Sequence, residues 1–273
     1  MDDETVPFVI NAAFNIPLSL LAVTGNSLIL ASFASNPSLI SPSNVFLICL
    51  SLTDLCVGLF VQPLYIAWRF SLFFNHSSTS GTFLLLVILF SGILCSFSLL
   101  SVTSLSVDRF LALHLHLRYK QLITVRRVAW FLVLLCFSSV LICSVSMWFP
   151  SYDEMAGRVM ALACFMINAV MYWKIYRIAR RHKRQIRAQE QQQQQQCRIL
   201  NAGLLNSLRL RNSSLAMFYV YLIFFLCYLP YISLAVTYPL FKGSISLSIA
   251  FEFSWTFVYI NSSLNPLLYS WRL

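Results

Sequence analysis

Seven long apolar runs follow one another along the chain, and short polar segments separate most of them. The runs cover residues 8–34, 44–68, 82–111, 128–149, 155–178, 215–238 and 247–270. An apolar helix of about 20 residues crosses the hydrocarbon layer of a bilayer. We extend the fifth and sixth helices into the polar connection between them, to 155–185 and 210–238. The pattern therefore predicts an all-α fold, in which residues 1–273 form one seven-transmembrane helix bundle.

The first run shows no sign of being a cleaved targeting segment. A signal peptide begins with a basic leader and ends at a small-residue cleavage site. This chain begins instead with Met1-Asp2-Asp3-Glu4. We therefore interpret residues 8–34 as a membrane-spanning helix.

Composition supports a membrane protein. The 273 residues are 59% hydrophobic and 10% charged, and their mean hydropathy is +0.74. Soluble domains carry about 25% charged residues. These values exclude an intrinsically disordered chain and argue against a soluble enzyme. The sequence also lacks the motifs that would indicate another kind of enzyme, namely a metal-ligand spacing, a nucleophile triad or a phosphate loop.

The basic residues predict the orientation of the bundle. Of the 19 Lys and Arg residues, 16 lie in the connections after the third and fifth runs or in the C-terminal tail, and the other three are Arg69, Arg158 and Lys242. Basic residues near helix ends remain on the cytoplasmic side. The sequence therefore predicts a multi-pass plasma-membrane protein with an extracellular N-terminus. The net charge of +10 is then a topology signal and not a nucleic-acid patch.

One carboxylate lies within a predicted span. A charged group at the centre of a bilayer costs about 2.5–3.5 kcal/mol on insertion scales, so Asp54 is a candidate functional residue. A buried carboxylate satisfied by its neighbours is the structural alternative. Amides and hydroxyls lie at similar depth on other helices, and they would suit a small cation such as sodium. These residues are Asn26, Ser98, Asn261, Ser262 and Asn265.

Two further features lie near the cytoplasmic side. Asp108 and Arg109 end the third run, where the carboxylate can hold the guanidinium until a partner competes for it. A simple basic anchor at the membrane surface is the alternative. Pro230 and Pro266 interrupt the last two helices, and a proline kinks a helix because it lacks a backbone N–H. Such kinks are also ordinary features of membrane helices.

Motifs on all seven predicted helices occur in a familiar order. They are Gly25-Asn26, Leu50-Ser51-Leu52-Thr53-Asp54, Asp108-Arg109-Phe110, Trp130, Tyr172, Phe224-Phe225-Leu226-Cys227-Tyr228-Leu229-Pro230 and Asn265-Pro266-Leu267-Leu268-Tyr269. With these motifs the chain resembles class A, rhodopsin-like G-protein-coupled receptors over essentially its whole length. The resemblance implies a receptor that lies in membrane lipid, binds an extracellular ligand and activates a heterotrimeric G protein.

The resemblance also implies roles for single residues. Asp54, Ser98, Asn261, Ser262 and Asn265 resemble a sodium pocket, with sodium as an allosteric ligand and no other cofactor. Asp108 and Arg109 resemble the switch that contacts the G protein, and Tyr172 and Tyr269 resemble the partners of Arg109 in the active state. Phe224 and Tyr228 resemble the pair that transmits ligand binding to this switch. Pro230 and Pro266 resemble the hinges of the last two helices.

Some positions depart from the family pattern. Tyr228 stands where the family usually has tryptophan. Residues 208–211 contain no acidic residue, so Arg109 lacks the usual ionic lock to the sixth helix. We therefore expect elevated activity without ligand.

The outer half resembles the melanocortin, cannabinoid, lysophospholipid and adenosine receptor group. Leu84 replaces the disulfide cysteine of the third helix, the second outer loop shrinks to about 151–157, and Cys164 replaces a proline. Ser91 stands at the position of the aspartate with which amine receptors bind their ligands, and Ala235 stands at the position of the asparagine with which adenosine receptors bind theirs. The acidic cluster with which melanocortin receptors bind basic peptides is missing from this sequence.

The expected ligand pocket is aromatic and nearly uncharged, which favours an apolar or weakly polar molecule as the ligand. A peptide ligand is the alternative. The structural alternative is that these side chains only pack the bundle. Glu252, near the outer rim, would attract a cation. The predicted pocket consists of Tyr65, Ser91, Cys95, Tyr228, Tyr231, Glu252, Trp255 and Tyr259. Asn75 begins a glycosylation sequon on an outer loop.

Two other functions are weighed against a signalling receptor. A transporter or channel should show inverted repeats and several membrane-embedded charges. The sequence shows no repeats and no second charge besides Asp54. A decoy or non-signalling receptor is favoured by Tyr228 and by the C-terminal residues 270–273, which lack the amphipathic helix of the family.

Overall fold

The structure, a computed structural model, describes residues 6–74, 77–115, 118–148, 150–192, 221–237 and 245–270. The described residues form helices and turns without a strand, which confirms the predicted all-α fold. The seven long helices are α1 (Val6–Ser35), α2 (Pro42–Phe73), α3 (Ser77–Leu115), α4 (Val125–Trp148), α5 (Pro150–Gln192), α6 (Tyr221–Thr237) and α7 (Ile245–Ser270).

Helix composition matches a membrane environment. Among the described residues, five helices, α1 to α5, are long and apolar enough to cross a membrane. α6 is a shorter apolar helix in its described part. α7 is more polar, and its polar side chains face the bundle: Ser254, Thr256, Asn261, Ser262, Ser263 and Asn265 are all buried. Polar groups within a membrane face neighbouring helices because lipid offers them no hydrogen bonds.

α2 begins at a clear sequence signal and is irregular in its middle. The Ser41 hydroxyl accepts a hydrogen bond from the Asn44 amide, and Pro42 occupies the first helical turn, where its missing N–H costs nothing. Residues Val57–Val61 form a π-helical turn. Pro63 lies two residues after this turn, and its missing N–H removes one α-helical hydrogen bond. The second half of α2 is therefore rotated relative to a regular continuation of its first half.

α1 packs closely on α7. Gly25 allows this approach, because a Cβ atom there would lie 2.7 Å from Cγ of Pro266. Ser263 donates a hydrogen bond to the Leu18 carbonyl at 2.8 Å. The buried face of α1 carries Asn11, Asn15 and Asn26, each fully buried. α1 thus contacts its neighbours through polar groups as well as through apolar packing.

One part of the predicted connections is wrong. The sequence predicted an outer loop at 151–157, but the structure is helical there, since α5 begins at Pro150. Proline is compatible with the first turn of a helix, so it starts α5 instead of ending a loop. Several predicted features lie outside the described residues: the glycosylation site Asn75, residues 208–211 and the side chain of Tyr269.

Candidate functional site

The centre of the bundle contains a buried polar cluster between α1, α2 and α7. Asn265 donates a hydrogen bond through Nδ2 to Oδ2 of Asp54 at 2.6 Å. Asn26 donates to the Ser262 carbonyl at 3.0 Å. Asp54, Asn265 and Asn26 have no solvent exposure. The polar residues predicted to lie at one depth therefore include three that converge in space.

Several oxygens of this cluster lack a hydrogen-bond partner among the described residues. Burial without a partner is costly for a polar atom, so such atoms indicate water or an ion. One carboxylate oxygen and three amide oxygens form a set that suits a hard cation. Ser98 and Ser262 are also buried. The unpartnered oxygens are Asp54 Oδ1, Asn26 Oδ1, Asn261 Oδ1, Asn265 Oδ1 and Ser51 Oγ.

The C-terminal end of α3 carries a buried ion pair. Arg109 Nη2 lies 2.7 Å from Asp108 Oδ2, and its Nε donates to the same oxygen at 3.2 Å. Arg109 is only 7% exposed. The aspartate therefore holds the guanidinium along α3.

Two hydroxyl groups from neighbouring segments also bind Asp108. Ser43 on α2 donates to Oδ2 at 2.8 Å, and Tyr119 in the helical turn Tyr119–Leu122 donates to Oδ1 at 2.6 Å. Burial, with a smaller contribution from this hydrogen bond, raises the pKa of Tyr119 to about 12. The phenol therefore stays protonated near neutral pH and can act only as a donor to the carboxylate.

The predicted switch partners on α5 and α6 lie close together. Ser106 on α3 donates to the Tyr172 hydroxyl at 3.2 Å, and the Tyr172 ring stacks on Tyr221 with 5.2 Å between centroids. Phe224 stacks on Tyr228 at 4.5 Å. The Tyr228 hydroxyl donates to the Cys95 carbonyl at 3.4 Å. Tyr228 thus links α6 to α3 by a polar contact, and Pro230 lies half-buried two residues further along α6.

The outer half of the bundle brings the predicted aromatic residues together. The Tyr65 and Tyr259 rings lie 5.8 Å apart, and Tyr231 meets Trp255 at 6.2 Å. The Ser91 hydroxyl lies 3.1 Å from the Tyr259 hydroxyl. Tyr65, Tyr259 and Ser91 are buried in this arrangement.

The outer half also contains an ion pair that sequence reasoning missed. Glu252 was expected to attract a cation from outside, but its partner here is Arg69 of α2. Arg69 is 8% exposed, although the sequence placed it just outside the second span. The sequence analysis predicted that Asp54 is the only charged residue within the membrane spans. This prediction is wrong, because the helices α2 and α7 of the structure also contain the Arg69–Glu252 pair.

Buried amides of α1 support this ion pair, and they were missed as well. Asn11 donates to the Tyr65 hydroxyl at 2.8 Å, and Tyr65 donates to Glu252 Oε2 at 3.0 Å. Asn15 donates to Thr256 at 2.9 Å. A signal was available, because Asn11 and Asn15 lie four residues apart, on one face of a helix, within an apolar run.

Comparison with known proteins identifies relatives over nearly the whole chain. The sequence model for "7 transmembrane receptor (rhodopsin family)" matches residues 25–168 and 151–269. The histamine H2 receptor of Cavia porcellus is 28% identical over 298 aligned residues, which cover 98% of this chain and 77% of the relative. That of Canis lupus familiaris is 28% identical, covering 93% and 73%. The adenosine receptor A2b of Bos taurus is 38% identical over 112 residues, covering 41% and 32%.

Proposed function

Because the chain belongs to the rhodopsin family of seven-transmembrane receptors, we propose that it transmits binding of an extracellular ligand to a heterotrimeric G protein. It is a multi-pass membrane protein, and its curated relatives are receptors and not enzymes. The histamine and adenosine receptors among them support the class of function. They do not assign a ligand to this chain.

The buried Asp108–Arg109 pair is the observation that carries this proposal. It lies at the end of α3, and Ser43 and Tyr119 fix its carboxylate. A guanidinium held by a neighbouring carboxylate can exchange that partner for groups of a docking protein. Tyr172 and Tyr221 stack beside α3 and connect α5 to α6. Outward movement of α6 would open this end of the bundle and expose Arg109 to the G protein.

The charge distribution supports the proposed orientation. Arg126 and Arg127 begin α4 and are exposed, directly after the turn that holds Tyr119. Basic residues at helix ends favour the cytoplasmic side. We place the Asp108–Arg109 pair on that side and the N-terminus outside, in the plasma membrane.

The central polar cluster would hold a sodium ion. The orphan Oδ1 of Asp54 supplies a negative charge, and the amide oxygens of Asn261 and Asn265 supply neutral ligands. A bound sodium ion would balance the carboxylate charge. Asp54 and these amides would then tie α2 to α7 and favour the resting arrangement.

The outer aromatic cluster, which contains Tyr65, Tyr231, Trp255 and Tyr259, is the proposed ligand site. Ser91 faces Tyr259, and no carboxylate occupies the Ser91 position, so recognition of an amine there does not carry over from the histamine receptors. Tyr228 lies at the base and connects this region to Phe224 by ring stacking. A ligand that displaced the Tyr228 hydroxyl from the Cys95 carbonyl would free α6 from α3.

Signalling in cells expressing the full chain tests the proposal. We expect ligand-free cyclic AMP or calcium responses to differ from those of vector-only cells. Arg109→Ala should abolish this difference, whereas the exposed Arg126→Ala should preserve it. Lipid, nucleoside and melanocortin-peptide panels would then search for a ligand.

Two results would contradict the proposal. The first is an equal signal from the unmodified chain and Arg109→Ala, since the switch would then be irrelevant. The second is normal surface expression with no response in either messenger under any condition. That second result would favour a decoy or non-signalling receptor.

A further inference from the structure

The Arg69–Glu252 pair lies in an aromatic environment at the outer end of the bundle. The Arg69 guanidinium lies 4.0 Å from the centroid of the Trp68 ring and 4.8 Å from that of Phe8. Tyr65 lies one helical turn below it, with its ring 5.8 Å away. Cations stack favourably on aromatic faces, especially when water is excluded. The ring faces therefore stabilise a positive charge at this position.

Hydrogen-bond donors exceed acceptors in this cluster. A guanidinium has five N–H groups, and Nε of Arg69 is buried without a partner among the described residues. The indole Nε1 of Trp255 is likewise buried without a partner. Trp255 lies one turn from Glu252 on α7 and packs against the buried cluster that contains Tyr65 and Tyr259. Within the described part of the chain, two donors, one from α2 and one from α7, thus lack acceptors.

The acceptors around these donors are already engaged. Glu252 accepts from Arg69 through Oε1 and from Tyr65 through Oε2. The Asn11 side-chain oxygen accepts from Thr256 at 2.6 Å. An orphan acceptor, Gln62 Oε1, lies two helical turns deeper along α2. At the level of Arg69, a molecule that completes the hydrogen bonds must bring acceptor atoms.

We propose that Arg69 anchors the carboxylate of an organic anion whose apolar body lies among the neighbouring aromatic rings. This inference rests on the proposed receptor function, because it names the ligand class of that pocket. The carboxylate would accept from Nε of Arg69, and the indole N–H of Trp255 would serve a second acceptor of the ligand.

The charges favour an anion over a cation. A cationic ligand would have to take Glu252 away from Arg69 and leave a buried guanidinium unpaired, which is strongly unfavourable. An anion either adds to the free Nε edge or replaces Glu252. Glu252 is 18% exposed and Arg69 only 8%, so the displaced carboxylate is the partner that regains water more readily.

Binding to the purified full chain in detergent tests this inference. The probes are indole-3-acetate, 4-phenylbutyrate and decanoate, each with the amide and the primary amine of the same carbon skeleton. We expect at least one carboxylate to raise the melting temperature in a saturable way. The matching amide and amine should bind at least about tenfold more weakly, because a hydrogen bond to a charged group contributes that much.

Two variants that change Arg69, and one control variant, make the test specific. Arg69→Gln should remove the carboxylate-dependent shift, and Arg126→Gln should retain it. Because Arg69→Gln can also destabilise the fold, the charge-reversed double variant Arg69→Glu with Glu252→Arg preserves an ion pair. We expect this double variant to lose at least about tenfold of its affinity for the carboxylate, since the guanidinium has moved to α7.

Three results would overturn the inference: no shift with any carboxylate, a larger shift with an amine, or a carboxylate shift that survives both in Arg69→Gln and in the charge-reversed double variant. The binding readout needs no G protein. Failure of signalling with intact carboxylate binding would therefore refute the proposed function alone. Signalling without carboxylate binding would refute only the anion proposal.

Discussion

Two buried ion pairs stabilise opposite ends of α2, and they are built differently. At the outer end, Arg69 of α2 pairs with Glu252, 183 residues later on α7. At the inner end, Ser43 of α2 binds Asp108, which pairs with the adjacent residue Arg109 on α3. By helical rise, Ser43 and Arg69 are about 40 Å apart. One pair joins two helices, and the other joins neighbouring residues of one helix.

This difference between the two ion pairs indicates which end of the bundle can move more easily. The outer pair must break if α2 and α7 separate, so it holds those helices together. The inner pair survives any rigid movement of α3, and among the described residues only the hydrogen bonds from Ser43 and Tyr119 connect it to other segments. The outer end therefore resists helix movement more than the inner end. This arrangement suits the proposed outward movement of α6, which opens the bundle at the end that carries Asp108 and Arg109.

Breaking the outer pair should have the largest effect on stability. Removing one partner of a buried ion pair costs up to about 3–5 kcal/mol, because the other charge is left unpaired. Arg69→Gln and Glu252→Gln should each lower the melting temperature of the purified protein. The apolar double variant Arg69→Met with Glu252→Leu should recover most of the loss. Single variants as stable as the unmodified chain would show that the pair does not hold α2 to α7.

Gly25→Ala tests whether α1 is packed as closely on α7 as α2 is held to α7 by the outer ion pair. The new Cβ would meet the Pro266 ring at 2.7 Å, and overpacking costs about 1–3 kcal/mol. The melting temperature should therefore fall. Gly81→Ala on α3 is the matched control, since nothing lies within 4 Å of its Cβ position. Equal effects of the two substitutions would argue against close α1–α7 packing.

The effect of sodium on stability tests the central polar cluster around Asp54, which lies between the two ends of the bundle. At ten times its Kd, a specifically bound ion stabilises the folded protein by about 1.4 kcal/mol. Sodium chloride should therefore raise the melting temperature more than choline chloride at equal ionic strength. Asp54→Asn should remove this difference, because it removes the charged oxygen ligand. A sodium effect that persists in Asp54→Asn would exclude the central cluster as the ion site.

Tyr119→Phe should have the smallest effect and sharpens the description of the inner end. It deletes one hydrogen bond to Asp108, which contributes about 1 kcal/mol, equivalent to about a fivefold change in an equilibrium. Ligand-free signalling should rise by up to this factor. Since burial raises the pKa of Tyr119 to about 12, the increase should not depend on pH between 6 and 8. The exposed Tyr176→Phe should leave signalling unchanged, and an equal rise in that variant would contradict the role of Tyr119.

The fold could be predicted because its signal is local. Long apolar runs define membrane helices without knowledge of their neighbours. Helix ends were harder to predict, as α5 shows: residues 151–157 were predicted to form an outer loop, and the structure begins a helix at Pro150. Residues that start a helix and residues that end one overlap in type, so hydropathy alone does not separate them.

The candidate sites were predictable to different degrees. Asp54 drew attention because a carboxylate in an apolar run is costly wherever its partners lie. The hydrogen bond from Asn265 and the orphan Oδ1 agree with a polar cluster at that depth, and the sodium ion itself stays a prediction. Arg69 escaped notice because it follows the predicted span 44–68 by one residue, where a basic residue ordinarily faces water.

The seven helices, the family and the Asp108–Arg109 pair could be predicted without a structure, because apolar runs and adjacent residues need no tertiary information. The contact between Arg69 and Glu252 could not, because it joins two helices that are distant in the sequence. That contact depends on the rotation of α2 beyond its π-helical turn at Val57–Val61 and on the approach of α7 to α1 and α2. Helical periodicity counted from Asp54 does not follow such a turn, because each π-helical turn contains more residues than an α-helical one.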